Sequence, residues 1–155
     1  MSNGGMTMRQ LWSPWRMEYI ESEKPKGCAL CDAARSPERD EENNVLYRGE
    51  HVYVIMNRYP YINGHLMVAP YLHVSRINDL QPEAQAELMN TTSLCVEALQ
   101  ACMNPDGFNM GMNMGQAAGA GIADHIHMHI VPRWIGDTNF MSVFPHCAIV
   151  NSFSK

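Results

Sequence analysis

The stretch from residue 124 to residue 132 constrains this chain more than any other, because three histidines alternate there with apolar residues. The order is Asp124-His125-Ile126-His127-Met128-His129-Ile130-Val131-Pro132. Side chains on a β-strand point alternately to opposite faces, and residues two apart lie about 7 Å from each other. The pattern predicts a strand from His125 to Val131 that Pro132 ends, with the imidazoles on one face and the apolar side chains in a core.

Three imidazoles on one face are typical of two kinds of site. In one, two of the histidines are ligands of a catalytic zinc ion. In the other, one histidine is a nucleophile, and its neighbours orient it and transfer protons. The loop at residues 115–121 carries no bulky side chain, so its backbone N–H groups can approach an anion closely. Neutral imidazole is abundant near pH 7 and attacks phosphorus readily, so the loop and the histidines together favour phosphate chemistry.

The rest of the chain predicts an α+β domain with a mainly antiparallel sheet. A long helix is expected to begin at Pro82, which suits the first helical position, and to end at residues 104–107. The polar, acid-rich residues 32–44 are predicted to form a surface loop. Runs of β-forming residues predict strands at residues 45–47, 52–56, 65–69 and 108–114, the first two joined as a hairpin.

Composition excludes several classes of protein. The chain has 155 residues, of which 46% are hydrophobic, so it can form one domain with a buried core. No apolar run approaches the roughly 20 residues that a membrane helix requires, and the first eight residues lack a signal-peptide core. A net charge of −5 argues against binding to duplex nucleic acid. These features predict a cytoplasmic protein that contacts neither membrane nor duplex.

Five cysteines in such a chain are poor material for a set of disulfides. Cys95 and Cys102 lie seven residues apart in the helical pattern and are assigned to the core, whereas Cys147 is uninformative. Cys28 and Cys31 form a CxxC pair, whose spacing lets two thiolates bind one tetrahedral metal ion. Alone the pair is half a metal site, and a redox dithiol or a chance occurrence is equally compatible with it.

Three motifs together resemble the histidine-triad superfamily of nucleotide hydrolases and transferases. They are the alternating histidines, the stretch Asn57-Arg58-Tyr59-Pro60-Tyr61-Ile62-Asn63-Gly64-His65-Leu66, and residues 113–119. The resemblance covers about residues 28–134. It implies the fold of that superfamily: a five-stranded antiparallel sheet with one long helix, in a homodimer that extends the sheet. The chain is then a single domain with an arm at residues 1–27, a core at 28–134 and a tail at 135–155.

The resemblance also implies roles for individual residues. His127 attacks the α-phosphate and carries the nucleotide covalently, while its other ring nitrogen donates to a backbone carbonyl. His129 contacts the phosphate and assists the leaving oxygen, and His125 orients His127. Supporting groups around the nucleotide and its phosphates are Asn57, His65, Asn113, Gly119 and Gly121. The base pocket is expected to include residues 54–56 and Leu66, and no organic cofactor is implied.

Some bacterial members of the superfamily hold a structural zinc ion, and this chain has residues at the matching positions. They are Cys28, Cys31, His73 and His125. A set of two cysteines and two histidines closes a tetrahedral site, so the zinc would brace the histidine strand without touching substrate. The alternative is that the cysteines are free thiols and that His73 is a surface residue.

Residues 11–20 and 132–141 resemble bacterial diadenosine tetraphosphate phosphorylases of the triad type. The aromatic arm around Trp12 and Trp15 is expected to pack on the domain or on another subunit. Gly121 stands four residues before His125, where the hydrolases often have glutamine, and its small size would leave room for inorganic phosphate as acceptor. Candidates to bind that phosphate are Gly119, Gly121, Asn113 and Arg133. The alternatives are a dinucleoside polyphosphate hydrolase, an adenosine phosphoramidase and, from another class, a nucleotide-binding sensor with weak chemistry.

Overall fold

The computed structural model describes residues 27–137. The aromatic arm around Trp12 and Trp15, Cys147 and the tail beyond Asp137 lie outside the described residues. The helices are α1 (Ala29–Arg35), α2 (Asp40–Asn43) and α3 (Pro82–Met103), and the strands are β1 (Val45–Arg48), β2 (Val52–Met56), β3 (Leu66–Pro70), β4 (Gly107–Met112) and β5 (Met128–Arg133). Short 3-10 turns occupy Pro37–Arg39, Ile77–Asp79 and Gln116–Ala118. Within this part of the chain, no helix combines the length and the apolar character needed to span a bilayer.

The five strands form one antiparallel sheet in the order β1-β2-β3-β5-β4. The predicted α+β class, the β1–β2 hairpin and the long helix from Pro82 are therefore confirmed. The histidine strand β5 lies between β3 and β4, and His129 stands opposite Met67 on one side and Gly111 on the other. The central position of β5 places its side chains over the middle of the sheet.

Both faces of the sheet are covered. On one face α3 packs against the sheet, and the core between them includes Val54, Leu66, Val68, Leu88 and Ile130. On the other face α1 packs through Leu30 and Ala33 against a second cluster with Val45, Tyr53, Ile55, Met67 and Ala69. Because cross-strand neighbours share a face, the pairing of Met67 with His129 places that histidine on the α1 face.

The histidine strand differs from its prediction at both ends. It begins at Met128 and continues through Pro132 to Arg133, so His125 and His127 precede the hydrogen-bonded ladder. The predicted alternation still holds, because Ile126, Met128 and Ile130 all enter the α3 core. Pro132 is tolerated because β3 pairs only with residues 128–130, so no N–H is required on that side at position 132.

The predicted surface loop at residues 32–44 is wrong in part, since α1, a 3-10 turn and α2 occupy most of it. Acidic residues fill the first turn of α2, where they oppose the positive end of the helix dipole. The assignment of Cys102 to the core is also wrong: Cys95 is buried but Cys102 is exposed. In the last turn of α3, Met103 packs on the core in its place.

Candidate active site and metal centre

A cleft of about 240 Å³ opens on the α1 face of the sheet. Its apolar lining comes mainly from α1, β2 and β3, through Ala29, Leu30, Ala33, Ile55, Met56 and Met67, with Ile122 from the loop before β5. Its polar lining comes from α2 and from three loops and the histidine strand, through Glu42, Asn43, Asn44, Asn57, Arg58, Tyr59, Tyr61, Asn113, Gly119, Gly121, His127 and His129. The cleft thus combines a surface suited to a flat apolar group with two imidazoles and a glycine loop suited to an anion.

His127 is held in one defined tautomer. Its Nδ1 lies 2.8 Å from the backbone carbonyl of His125. A carbonyl oxygen can only accept, so Nδ1 carries the proton and Nε2 keeps its lone pair. Burial lowers the pKa of His127, against a smaller opposing effect of this hydrogen bond, so the neutral ring is favoured. A buried neutral imidazole with an available Nε2 lone pair is a competent nucleophile.

His129 is held in the opposite tautomer. The backbone N–H of Tyr61 donates to Nδ1 of His65 over 3.2 Å, so this nitrogen is an acceptor. The proton of neutral His65 is therefore on Nε2, which lies 2.9 Å from Nδ1 of His129. His129 accepts at Nδ1 and consequently bears its own proton on Nε2. The two cleft histidines thus differ at Nε2: His127 has a lone pair on this atom, whereas His129 has an N–H group that can donate a hydrogen bond.

The amide of Asn57 supports the same arrangement. Its Oδ1 accepts from the backbone N–H of Tyr59 over 2.9 Å, which fixes the orientation of the amide. Its Nδ2 then lies 3.3 Å from Nδ1 of His65 and donates to it, as the N–H of Tyr61 does. The Tyr61 ring stacks on His65 with centroids 5.0 Å apart. The loop between β2 and β3 therefore sets the direction of proton donation in the cleft.

Beside the cleft, Cys28, Cys31, His73 and His125 bring four candidate ligand atoms within 4.8 Å of one another. Sγ of Cys31 lies 3.1 Å from Nδ1 of His73 and 3.4 Å from Nδ1 of His125, and Sγ of Cys28 lies 3.3 Å from the latter. Bond lengths of 2.0–2.3 Å in a tetrahedral zinc site imply separations of about 3.3–3.8 Å between ligand atoms. The cluster is close to that geometry.

The surroundings of the cluster fit a divalent metal with thiolate and imidazole ligands. Nε2 of His125 donates to the carbonyl of Pro70 over 2.8 Å, which leaves Nδ1 facing the cysteines. Burial lowers the pKa of His125, so the neutral ligand form is favoured. Burial and the neighbouring Cys28 raise the pKa of Cys31, so a metal ion would displace a proton from this thiol on binding. The residues present therefore fit a structural zinc ion.

Most of the predicted site residues lie together. Asn57, Asn113, Gly119, Gly121, His127 and His129 all line the cleft. His65 is buried behind His129, and His125 is buried among the four candidate metal ligands. The predicted base pocket is wrong at Val54 and Leu66, which face α3, while Ile55 and Met67 line the cleft. Arg133 does not line the cleft; its Nη1 donates to Asn109 over 3.4 Å.

Sequence reasoning missed the wall of the cleft that α1 and α2 form. It also missed the cation Arg58 among the lining residues. The CxxC pair is the sequence feature that could have indicated the part of this wall formed by α1. Once Cys28 and Cys31 share a metal with His125, the residues between and beside them must lie near the histidines.

Comparison with known proteins agrees with this geometry. The sequence model of the HIT domain matches residues 38–134, so the chain belongs to the HIT domain family. It is 40% identical to the AP-4-A phosphorylase of Mycobacterium tuberculosis over 145 residues, which cover 88% of this chain and 73% of that protein. It is 29% identical to the asymmetrical bis(5'-nucleosyl)-tetraphosphatase of Schizosaccharomyces pombe over 59% of this chain and 50% of that one.

Solved structures agree as well. A Zn-bound histidine triad family protein from Mycobacterium smegmatis superposes with a TM-score of 0.64 at 29% identity, covering 74% of this chain and 81% of that one. A HIT family member from Bacillus subtilis superposes with a TM-score of 0.63 at 26% identity, covering 70% and 74% of the two chains.

The tautomers are directly measurable by side-chain ¹⁵N NMR. We expect the Nδ1–H form for His127 and the Nε2–H form for His65 and His129. In His65→Ala the preference of His129 should weaken, because its Nδ1 loses the donor, whereas His51→Ala should leave it unchanged. An Nε2–H proton on His127 would contradict the assignment.

Elemental analysis of protein purified without added metal should find one zinc ion per chain. Cys31→Ser should remove most of this zinc and lower Tm by about 5 °C or more, since a loss of about 2 kcal/mol shifts the Tm of a chain of this size by about 4–8 °C. Cys102→Ser is the matched control, because that exposed thiol lies outside the cluster. Equal zinc content in both variants would rule out the site.

Proposed function

We propose that this protein is a nucleotidyl transferase that cleaves dinucleoside polyphosphates through a covalent nucleotidyl-His127 intermediate, with inorganic phosphate as the acceptor. The single observation that carries the proposal is the pair of opposite tautomers in the cleft, a lone pair on Nε2 of His127 and a proton on Nε2 of His129. Attack on phosphorus needs a nucleophile and an N–H donor that stabilises the negative charge on the leaving oxygen. The cleft supplies both.

In the first displacement, Nε2 of His127 attacks the α-phosphorus, and the bond from phosphorus to the leaving nucleotide's oxygen breaks. Nε2–H of His129 donates a hydrogen bond to that oxygen, which leaves with the bonding electron pair as an anion of the released nucleotide. The His127 ring becomes cationic as the P–N bond forms, and the carbonyl of His125, already bound to Nδ1–H, stabilises this charge. Gly119 and Gly121 line the cleft without side chains and so leave room for the phosphate oxygens, but the N–H of Gly119 donates to the carbonyl of Gln116 over 3.0 Å rather than into the cleft.

In the second displacement, an oxygen of inorganic phosphate attacks the same phosphorus, and the P–N bond breaks. The electron pair returns to Nε2 of His127, whose ring becomes neutral again. The attacking oxygen of the phosphate anion carries no proton, so this step needs no base, and Nε2–H of His129 remains a hydrogen-bond donor throughout. With diadenosine tetraphosphate, the first step releases ATP and the second releases ADP. With water as the acceptor, the second product is AMP.

The comparison favours phosphorolysis over hydrolysis. The relative named as a phosphorylase is 40% identical over 88% of this chain, whereas relatives named as hydrolases match 59% of it at 27–29% identity. The second phosphate needs donors beside the first, and the cleft lining offers the amide of Asn113 and the guanidinium of Arg58, the latter in place of the predicted Arg133. Gly119 and Gly121 contribute space beside them. The hydrolase is the second candidate, supported by the named tetraphosphatase relative.

The proposal includes a cytoplasmic homodimer built from single domains, with the arm at residues 1–27 and the tail at 135–155 flanking the core. Edge strand β4 is available to extend the sheet. On α3, Met89 and Leu94 are 54% and 49% exposed and provide an apolar contact surface.

His127→Ala should abolish the covalent intermediate and reduce turnover of diadenosine tetraphosphate by about 10⁴-fold or more, since the nucleophile itself is lost. Binding of AMP should largely persist. His127→Gly should regain activity with an imidazole-activated nucleotide, which brings its own imidazole. His51→Ala, outside the cleft, is the control, and substantial turnover by His127→Ala would refute the assignment.

The acceptor can be identified with labelled phosphate. Diadenosine tetraphosphate and ³²P-phosphate should yield unlabelled ATP and ADP labelled at its β-phosphorus. Arsenate in place of phosphate should release AMP, because the mixed anhydride of AMP and arsenate hydrolyses rapidly. Formation of AMP and ATP at a rate that phosphate does not change would establish the hydrolase instead.

Light scattering at micromolar concentration should give twice the 17.5 kDa mass of one chain. Leu94→Glu on the exposed face of α3 should shift the protein toward monomer, because it places a charge in the apolar contact. A monomeric wild-type protein would contradict the dimer.

A further inference from the structure

Helix α1 and its cap residue contribute both to the cluster of four candidate metal ligands and to the cleft. Cys28, which precedes the helix, and Cys31, in its first turn, supply two of the four candidate ligand atoms. Ala29, Leu30 and Ala33 of the same helix line the cleft. With only seven residues, α1 cannot move at one of these places without moving at the other.

The two ends of α1 are held differently. At the carboxyl end, the guanidinium of Arg48 donates to the carbonyls of Ala33 and Ala34 over 2.8 and 3.0 Å and is paired with Asp40. In the first turn of the helix, the hydroxyl of Tyr53 donates to the carbonyl of Leu30 over 2.8 Å. These contacts come from β1, β2 and α2, and they require no metal.

At the amino-terminal end, the cap residue and the start of the first turn are also held by the cluster. The N-cap residue, Cys28, makes no side-chain capping hydrogen bond, and its Sγ points to Nδ1 of His125 at 3.3 Å. Isolated helices of two turns are unstable in water, so the order of this turn depends on tertiary contacts. Leu30 is also held by Tyr53, but Ala29, which lies between the cap residue and Leu30 and lines the cleft, is ordered next to Cys28 and its contacts with the cluster.

We infer that Cys28 and Cys31 are positioning residues for the nucleotide, so that zinc binding and nucleotide binding are positively coupled through α1. This inference rests on the proposed function. A bound metal orders the amino-terminal turn in advance, so the nucleotide does not have to order it. Because α1 contributes only apolar side chains to the cleft, the coupling is to the base rather than to the phosphate. By linkage, the nucleotide tightens zinc binding by the same factor.

The wild-type protein tests the coupling without any reaction. AMP is the probe, since it carries the base and one phosphate and has no polyphosphate bond to cleave. Zinc Kd is measured by competition with a metallochromic chelator, with saturating AMP, with ribose 5-phosphate, or with neither. We expect AMP to lower the zinc Kd by about 5-fold or more, in the usual range of coupling between sites. Ribose 5-phosphate, which lacks the base, should not lower it.

A variant tests the reciprocal effect. The side chain of His73 is exposed and lies outside the cleft lining, so His73→Ala removes one ligand atom without leaving a buried cavity. Calorimetry should show AMP bound about 5-fold or more weakly by His73→Ala, with circular dichroism unchanged. His51→Ala, the same substitution at a 40% exposed histidine outside the cluster, should bind AMP as the wild type does.

The outcomes separate this inference from the proposed function. AMP binding with an unchanged zinc Kd would overturn the coupling and leave the proposed function intact. If ribose 5-phosphate lowered the zinc Kd as much as AMP does, the inference would also be overturned, because the coupling would then act through the phosphate and not through α1. Failure of the zinc-loaded protein to bind AMP would overturn both.

Discussion

The arrangement of the site depends on His125, a fully buried residue whose two ring nitrogens and carbonyl oxygen have defined partners. Its Nε2–H is bound to the carbonyl of Pro70 at the end of β3, and its Nδ1 faces the two cysteines. Its own carbonyl accepts from His127. A displacement of His125 would therefore disturb the cluster of candidate metal ligands, the link to β3 and the tautomer of His127 together. One side chain and its peptide couple three features that are separate in the sequence.

The two faces of the sheet carry different tasks. The α3 face is closed by aliphatic side chains such as Leu88, Val68 and Ile130, and it contributes burial of apolar surface. The α1 face is closed by a much shorter helix, which leaves room for the cleft beside it. The period-two alternation of β5 lets a single run of residues serve both faces, with isoleucine and methionine on one and histidine on the other. Stability and chemistry thus come from alternate residues of the same strand.

Several of these features are predictable from the sequence, for identifiable reasons. The alternation from residue 125 to 131 assigns each side chain to the correct face, because it depends only on extended backbone. The start of the ladder at Met128 is not predictable in this way, since it depends on where β3 and β4 offer partners. Likewise, Leu66 and Met67 are both apolar, and only the pairing of Met67 with His129 decides which of them meets the cleft. A helix as short as α1 carries too few residues for a helical period to be visible.

The hydrogen bond from the Tyr61 peptide to His65 has a further consequence. Because the donor is a main-chain N–H group, the direction of hydrogen-bond donation from His65 to His129, called here the polarity, does not depend on the side chain at position 61. Nineteen of the twenty amino acids carry that N–H, and proline alone lacks it. A proline at position 61 would leave only the longer bond from the Asn57 amide to maintain the polarity. The main-chain hydrogen bond at position 61 therefore disfavours one residue type, proline, and does not itself require any particular side chain there.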